Sequence, residues 1–141
     1  LRAPALADYF GFVPEHGLVD HLASSVPIPP MLVNPGVPRL VILPGRNGLE
    51  GATELLASPR MRAAMQEFRD RYDVRLILYD MPPLLDTADA LAVLPHLDCA
   101  LLVVQEGRTS SKELESAKRL LQGTPMIGAL VNHGRSKFGR R

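Results

Sequence analysis

The sequence predicts an α/β fold, a mostly parallel sheet flanked by helices, on three observations. Four short apolar runs are strand-sized and lack the in/out alternation of a half-exposed sheet. Such continuous runs are typical of parallel strands covered on both faces. Segments of helical spacing separate them, and repeated strand–helix alternation is the signature of the α/β class, with right-handed crossovers. The composition agrees: 141 residues, 46% hydrophobic and 22% charged, give one ordinary domain or part of a larger one.

The predicted strands are Leu40–Leu43, Leu76–Tyr79, Ala100–Val104 and Met126–Val131. Between the first two, Ser58-Pro59 supplies a cap and a proline at the first helical position. Met61, Ala64, Met65, Phe68 and Tyr72 then recur as one apolar stripe, with Glu67 and Arg71 four apart in the favourable order. A second helix opens at Asp86-Thr87-Ala88-Asp89, with Asp86 as its expected cap and Pro95 as its end. A third opens at Ser110-Ser111-Lys112-Glu113, a capping box. It carries Leu114, Ala117, Leu120 and Leu121 on one face and stops at Gly123. Residues 1–38 read as a helical and Pro-rich lead-in. Short helices are expected over Ala5–Phe10 and Gly17–Ala23, then an extended surface connection through Pro27, Pro29, Pro30, Pro35 and Pro38. Residues 39–132 form the α/β core and 133–141 a basic tail, within a single partial domain.

Charge and residue types exclude several functions. Lys+Arg 16 against Asp+Glu 15 leaves a net charge of +1, so no nucleic-acid partner is expected. No apolar run approaches the roughly 20 residues of a membrane span. The lone Cys99 cannot form an intrachain disulfide, and within its apolar run it is expected to be a buried, inert thiol. His16, His21, His96 and His133 lack metal-ligand spacing. None of Lys112, Lys118 and Lys137 follows a glycine, so the Gly-Lys-Ser/Thr of a phosphate-binding loop is absent.

Two candidates for chemistry lie at strand ends. Asp80 follows the run Arg75-Leu76-Ile77-Leu78-Tyr79 and precedes Met81-Pro82-Pro83. In open α/β sheets ligands bind beyond the carboxyl ends of strands, where a carboxylate can order water on a nucleotide-bound Mg²⁺. The plainer reading makes Asp80 a turn former. Asn132, after Leu130-Val131, offers an amide suited to a purine edge, or an ordinary turn residue. Arg2 could clamp a phosphate, although a lone Arg near a terminus is usually solvated.

The ordered set of motifs resembles the bacterial tyrosine kinases of capsule and exopolysaccharide biosynthesis. Leu1-Arg2-Ala3-Pro4-Ala5-Leu6, Tyr9-Phe10-Gly11 and Gly17-Leu18-Val19-Asp20-His21-Leu22 carry it first. Leu43-Pro44-Gly45-Arg46, Ala52–Ser58 and Arg60-Met61 follow. Tyr79-Asp80-Met81-Pro82-Pro83, Asp89-Ala90, Leu102-Val103-Val104, Gly107-Arg108-Thr109 and Gly128–Asn132 complete it.

The resemblance implies a MinD/ParA-like P-loop ATPase fold of three α/β/α layers, incomplete at the N-terminus. It makes Asp80 the Walker B carboxylate, reaching Mg²⁺ through water. Arg2 becomes the last residue of Walker A′, and Asn132 an adenine contact. It implies ATP and Mg²⁺ as cofactors in the complete protein, with Walker A upstream of Leu1. The isolated chain is then expected to be inactive and to self-associate through unpaired strand edges. The implied partner is a membrane polysaccharide chain-length regulator that activates the kinase, and a homo-oligomer is a further expectation. The implied location is cytoplasmic, peripheral to the inner membrane through that partner. The tail His133–Arg141 lacks the family's tyrosine cluster, and Tyr9 is a poor replacement for it. Rival readings are a MinD/ParA-type positioning ATPase and a catalytically inactive α/β interaction module.

Overall fold

The computed structural model describes residues 6–45, 51–71 and 76–133. They fall into two compact units, Leu1–Ile77 and Leu78–Arg141.

The first unit is built on helices. α1 (Leu6–Phe10) buries no residue and ends at Gly11, whose φ of +71° only glycine adopts readily. α2 (Leu18–Ser24) buries Val19 and Leu22. Asp20 reaches back from its first turn to accept a 2.8 Å bond from the Gly17 N–H, satisfying a donor that the helix leaves orphaned. The next helix, α3 (Ala52–Leu56), was not foreseen. α4 (Pro59–Arg71) follows the sequence reading closely. Ser58 Oγ accepts the Met61 N–H at 3.2 Å and donates to the Leu55 carbonyl at 2.6 Å, joining α3 to α4. Met61, Ala64, Met65 and Phe68 are buried in one stripe, and Arg71 pairs with Glu67 at 2.6 Å on the exposed side. Tyr72, the last residue of the predicted stripe, lies outside the described residues.

Ala64 and Phe68 meet Ile28 in the core, with Leu32, Leu43 and Ile77 packed around them. The Pro-rich stretch is therefore more than a surface connection. It forms a 3₁₀ turn at Pro29–Met31, and Ile28 and Met31 are buried on either side of the prolines. Prolines pre-set this short turn and suppress a longer helix, which leaves the intervening apolar side chains free to turn inward. Arg60 Nη1 donates to the Leu22 and Ala23 carbonyls at 2.9 and 3.1 Å. It thereby places a cation at the carboxyl end of α2, where the helix dipole favours it.

The second unit contains α5 (Asp89–Val93), a 3₁₀ turn at Leu94–His96, β1 (Ala100–Gln105), α6 (Ser111–Leu120) and β2 (Met126–Asn132). β1 and β2 pair in parallel, as the α/β class requires. Partners run from Ala100↔Met126 to Gln105↔Asn132, with an irregularity where Leu101 faces Gly128, so Ile127 is the additional residue. Gly128 absorbs this bulge at φ +152°, a region costly to residues with a Cβ. α6 has the predicted capping box: Ser110 Oγ accepts the Glu113 N–H at 3.3 Å, and Glu113 accepts the Ser110 N–H at 2.8 Å. Gly123 stops the following turn at φ +91°.

Several expectations are corrected. Among the described residues the sheet has two strands rather than four. Leu40–Leu43 makes a single antiparallel bridge, Ile42 to Val33, with both N–H···O bonds at 2.8 Å. Residues 76–80 carry no ladder; Leu76 and Leu78 are exposed while Ile77 and Tyr79 are half-buried. The apolar strands are not covered on both faces either. Every residue of β2 is exposed, as are Leu101 and Val103 of β1. A two-stranded sheet with one ten-residue crossover helix has too little helix surface to cover both faces, and α6 itself buries only Ala117.

Cys99 is exposed rather than buried, because it lies between the bend at Asp98 and the start of β1 instead of within the strand. Asp86 does not cap α5; its N–H closes a turn onto the Pro83 carbonyl at 3.1 Å, and the helix begins three residues later. Pro95 sits inside the 3₁₀ turn that extends α5. Among the described residues, no helix is long and apolar enough to cross a membrane.

Glu113 gives this unit a pH dependence. The Ser110 hydroxyl first, and then the Ser110 N–H, hold its carboxyl below the ordinary glutamate range. A depressed folded-state pKa stabilises the fold above the unfolded value, and that contribution fades as pH falls through the folded value. The first turn of α6 should therefore lose amide protection on acidification below about pH 4.3, the ordinary glutamate value. A carboxyl-carbon NMR titration checks this; a Glu113 midpoint at or above the ordinary value would remove the capping box as its cause.

Candidate functional site at the carboxyl edge of the parallel pair

Parallel pairing brings the carboxyl ends of β1 and β2 to one edge, at Gln105 and Asn132. β1 ends in a tight turn there, and β2 in a bend at His133. After β1, the Thr109 and Arg108 N–H groups donate to the Gln105 carbonyl at 3.0 and 3.2 Å. Thr109 Oγ1 accepts the Gln105 N–H at 3.0 Å. Gly107, at φ +73°, lets the chain reverse, and no atom lies near the position a Cβ would take. The Glu106 N–H donates to the Asn132 carbonyl at 3.1 Å, extending the ladder one residue past β1.

Asn132 is exposed at this edge. Its Oδ1 accepts the His133 N–H at 2.9 Å, and His133 adopts φ +55°. The side chain holds the bend that ends β2, and its two Nδ2 protons are left to donate. Asn132 thus presents an amide donor at the edge where α/β proteins bind ligands.

Asp80 belongs to the same compact unit and is exposed, directly before Met81-Pro82-Pro83 and the turn that the Asp86 N–H closes onto Pro83. It lies outside the paired ladder, so the β1–β2 register does not fix it against Asn132. An exposed carboxylate between an apolar stretch and two prolines fits one water-mediated contact to a nucleotide-bound cation. It does not make a metal site alone, and among the described residues no cluster of three or more His, Cys, Asp or Glu could hold a metal ion. Arg2 lies outside the described residues.

The turn Gln105–Thr109 was the part of this edge to which sequence reasoning assigned no role. The signal available was a glycine followed by polar residues directly after an apolar strand.

No protein-family model matches the chain. Similarity to individual proteins is clear. The tyrosine-protein kinase etk of Escherichia coli K12 is 32% identical over 120 residues, which is 84% of this chain. The succinoglycan biosynthesis transport protein ExoP of Rhizobium meliloti is 31% identical over 134 residues, or 93% of this chain. The solved kinase domain of the Escherichia coli tyrosine kinase ETK superposes with a TM-score of 0.81 at 26% identity, covering 99% of this chain and 56% of that one. The chain belongs to the bacterial tyrosine kinase family. It spans 16% of the length of the two curated relatives.

The edge turn of this family member is directly testable. Thr109→Val keeps the shape and removes the hydroxyl that accepts the Gln105 N–H. A net hydrogen bond contributes about 0.5–1.5 kcal/mol, so exchange of the Gln105 amide should accelerate by up to about tenfold. Hydrogen-exchange NMR checks this, and an unchanged rate would mean that the carbonyl-directed bonds alone close the turn.

Proposed function

We propose that the chain is the C-terminal part of an ATP-dependent protein-tyrosine autokinase that regulates capsule or exopolysaccharide biosynthesis and export. The observation that carries this reading is the placement of Asp80. It is an exposed carboxylate directly after an apolar strand-like segment and before two prolines, in a chain 32% identical to a tyrosine-protein kinase over 84% of its length. The name of ExoP supports the exopolysaccharide setting.

Bound MgATP supplies the transferable phosphoryl group. The role of Asp80 is then to hold a water on the metal, keeping negative charge where the cation is needed. Phosphoryl transfer is mostly positioning and electrostatic stabilisation, so one such carboxylate matters to rate. Asn132 would donate from Nδ2 to an acceptor on the adenine edge, and Arg2 would contact phosphate as the end of the Walker A′ motif. The 141 residues hold no Gly-Lys-Ser/Thr loop, so the main phosphate cradle belongs to another part of the complete protein. The two compact units are proposed to belong to one partial domain, with residues 1–38 as lead-in, 39–132 as core and 133–141 as tail. A membrane-embedded chain-length regulator is the proposed activating partner, holding the kinase at the cytoplasmic side of the inner membrane, with self-association as a further state.

In the complete protein, Asp80→Asn should lower phosphoryl transfer by about 10²-fold or more, the scale on which single electrostatic groups act in such sites. The melting temperature should stay nearly unchanged, because the side chain is exposed. Equal activity of variant and parent would return Asp80 to a turn former.

The 141-residue chain alone should bind MgATP only weakly, with a Kd of about 1 mM or above, equivalent to roughly −4 kcal/mol. Isothermal titration measures it. A micromolar Kd would show that these residues build a phosphate site without the missing loop.

A further inference from the structure

We propose that Tyr9 is a phosphoacceptor of the kinase, a modification site on α1. The proposal rests on the tyrosine-kinase reading above and adds the acceptor residue to it.

A tyrosine acceptor must bring its hydroxyl and the backbone around it into the active site of a kinase molecule. It therefore needs an exposed ring on a segment that can leave its parent fold at little cost. Tyr9 is 83% exposed, and its ring meets Phe10 edge-on at 5.1 Å between centroids. α1 has five residues and none is buried. A helix this short has little stability of its own, since nucleation is costly and few bonds follow it. Its exit is equally open. Gly11 turns the chain at φ +71° with no atom within 4 Å of the position a Cβ would take, and Val13 beyond it is 93% exposed.

The other described tyrosine is a poorer acceptor. The sequence has three tyrosines and none in the tail 133–141. Tyr79 is half-buried and already engaged in an interaction. The sequence alone ranked Tyr9 low because it stands outside any tyrosine cluster. Its exposure on an unburied helix reverses that ranking.

The step balances simply. The Tyr9 phenol oxygen attacks the γ-phosphorus of ATP, and a phosphate ester bond forms. The bond from that phosphorus to the β,γ-bridging oxygen breaks, ADP leaves with the electron pair, and the phenolic proton passes to solvent. The product carries about −1.5 to −2 charges at the carboxyl end of α1, beside Asp8. Negative charge there opposes the helix dipole and the neighbouring carboxylate, so phosphorylation should also fray α1.

The test uses the complete gene product with MgATP, read by site-resolved phosphopeptide mass spectrometry. Transfer to a Glu-Tyr copolymer is measured in parallel. The expected result is phosphate on Tyr9 in the parent and its loss in Tyr9→Phe, with copolymer transfer unchanged. Faster amide exchange over residues 6–12 should accompany the modified form. Copolymer phosphorylation without phosphate on Tyr9 would overturn the assignment and leave the kinase reading standing. Absence of transfer to either acceptor would overturn both.

Discussion

Parallel pairing of Ala100–Gln105 with Met126–Asn132 is the constraint on which the second unit depends. Antiparallel strands can be joined by two residues, whereas parallel strands need a long crossover, usually a helix. Residues 106–125 are that crossover, and their devices serve it: the Gly107 reversal, the Ser110–Glu113 box that starts α6, and the Gly123 stop. The same constraint puts both strand ends, with the turn and the bend that follow them, on one edge. It also leaves much apolar surface in water. Leu101, Val103, Leu130 and Val131 are each more than half exposed, and full burial of one such side chain is worth about 1.5–3 kcal/mol.

The sequence was most informative where structure is local. The Ser58 and Ser110 caps, the Met61–Phe68 stripe and the Gly11 and Gly123 stops are decided by residues within one or two turns, and each was legible. Strand pairing was not, because it is decided by partners far away in the chain. Leu76–Tyr79 and Ala100–Val104 have the same apolar character, yet only the second enters the described ladder. Asp86 was the expected cap of α5, but the helix starts at Asp89. The turn onto Pro83 took the first, and the second is buried at 1% exposure with a partner of its own. The Pro-rich stretch misled for another reason: proline density forbids a helix but says little about which neighbours point inward.

The site was only partly legible. Asn132 could be placed at a strand end from its apolar approach, and the register then set it beside Gln105. Its Oδ1 bond to the His133 N–H depends on a left-handed residue that no sequence motif announced. For Asp80, its place at the end of an apolar run was readable, whereas the β1–β2 register leaves its position against Asn132 unfixed.

The Arg60 guanidinium has a thermodynamic meaning. α2 is seven residues long, too short to persist alone, and the bonds that close its carboxyl end come from a residue 38 and 37 positions away. Those bonds need α2 and the first turn of α4 to be together, so this part of the stability of α2 is non-local. Loop closure must come before the contact rewards it. In the native ensemble the same bonds act both ways: opening of the first turn of α4 removes the donors that close α2, and unravelling of α2 takes two acceptors from Arg60. The connection therefore couples the stabilities of the two helices reciprocally.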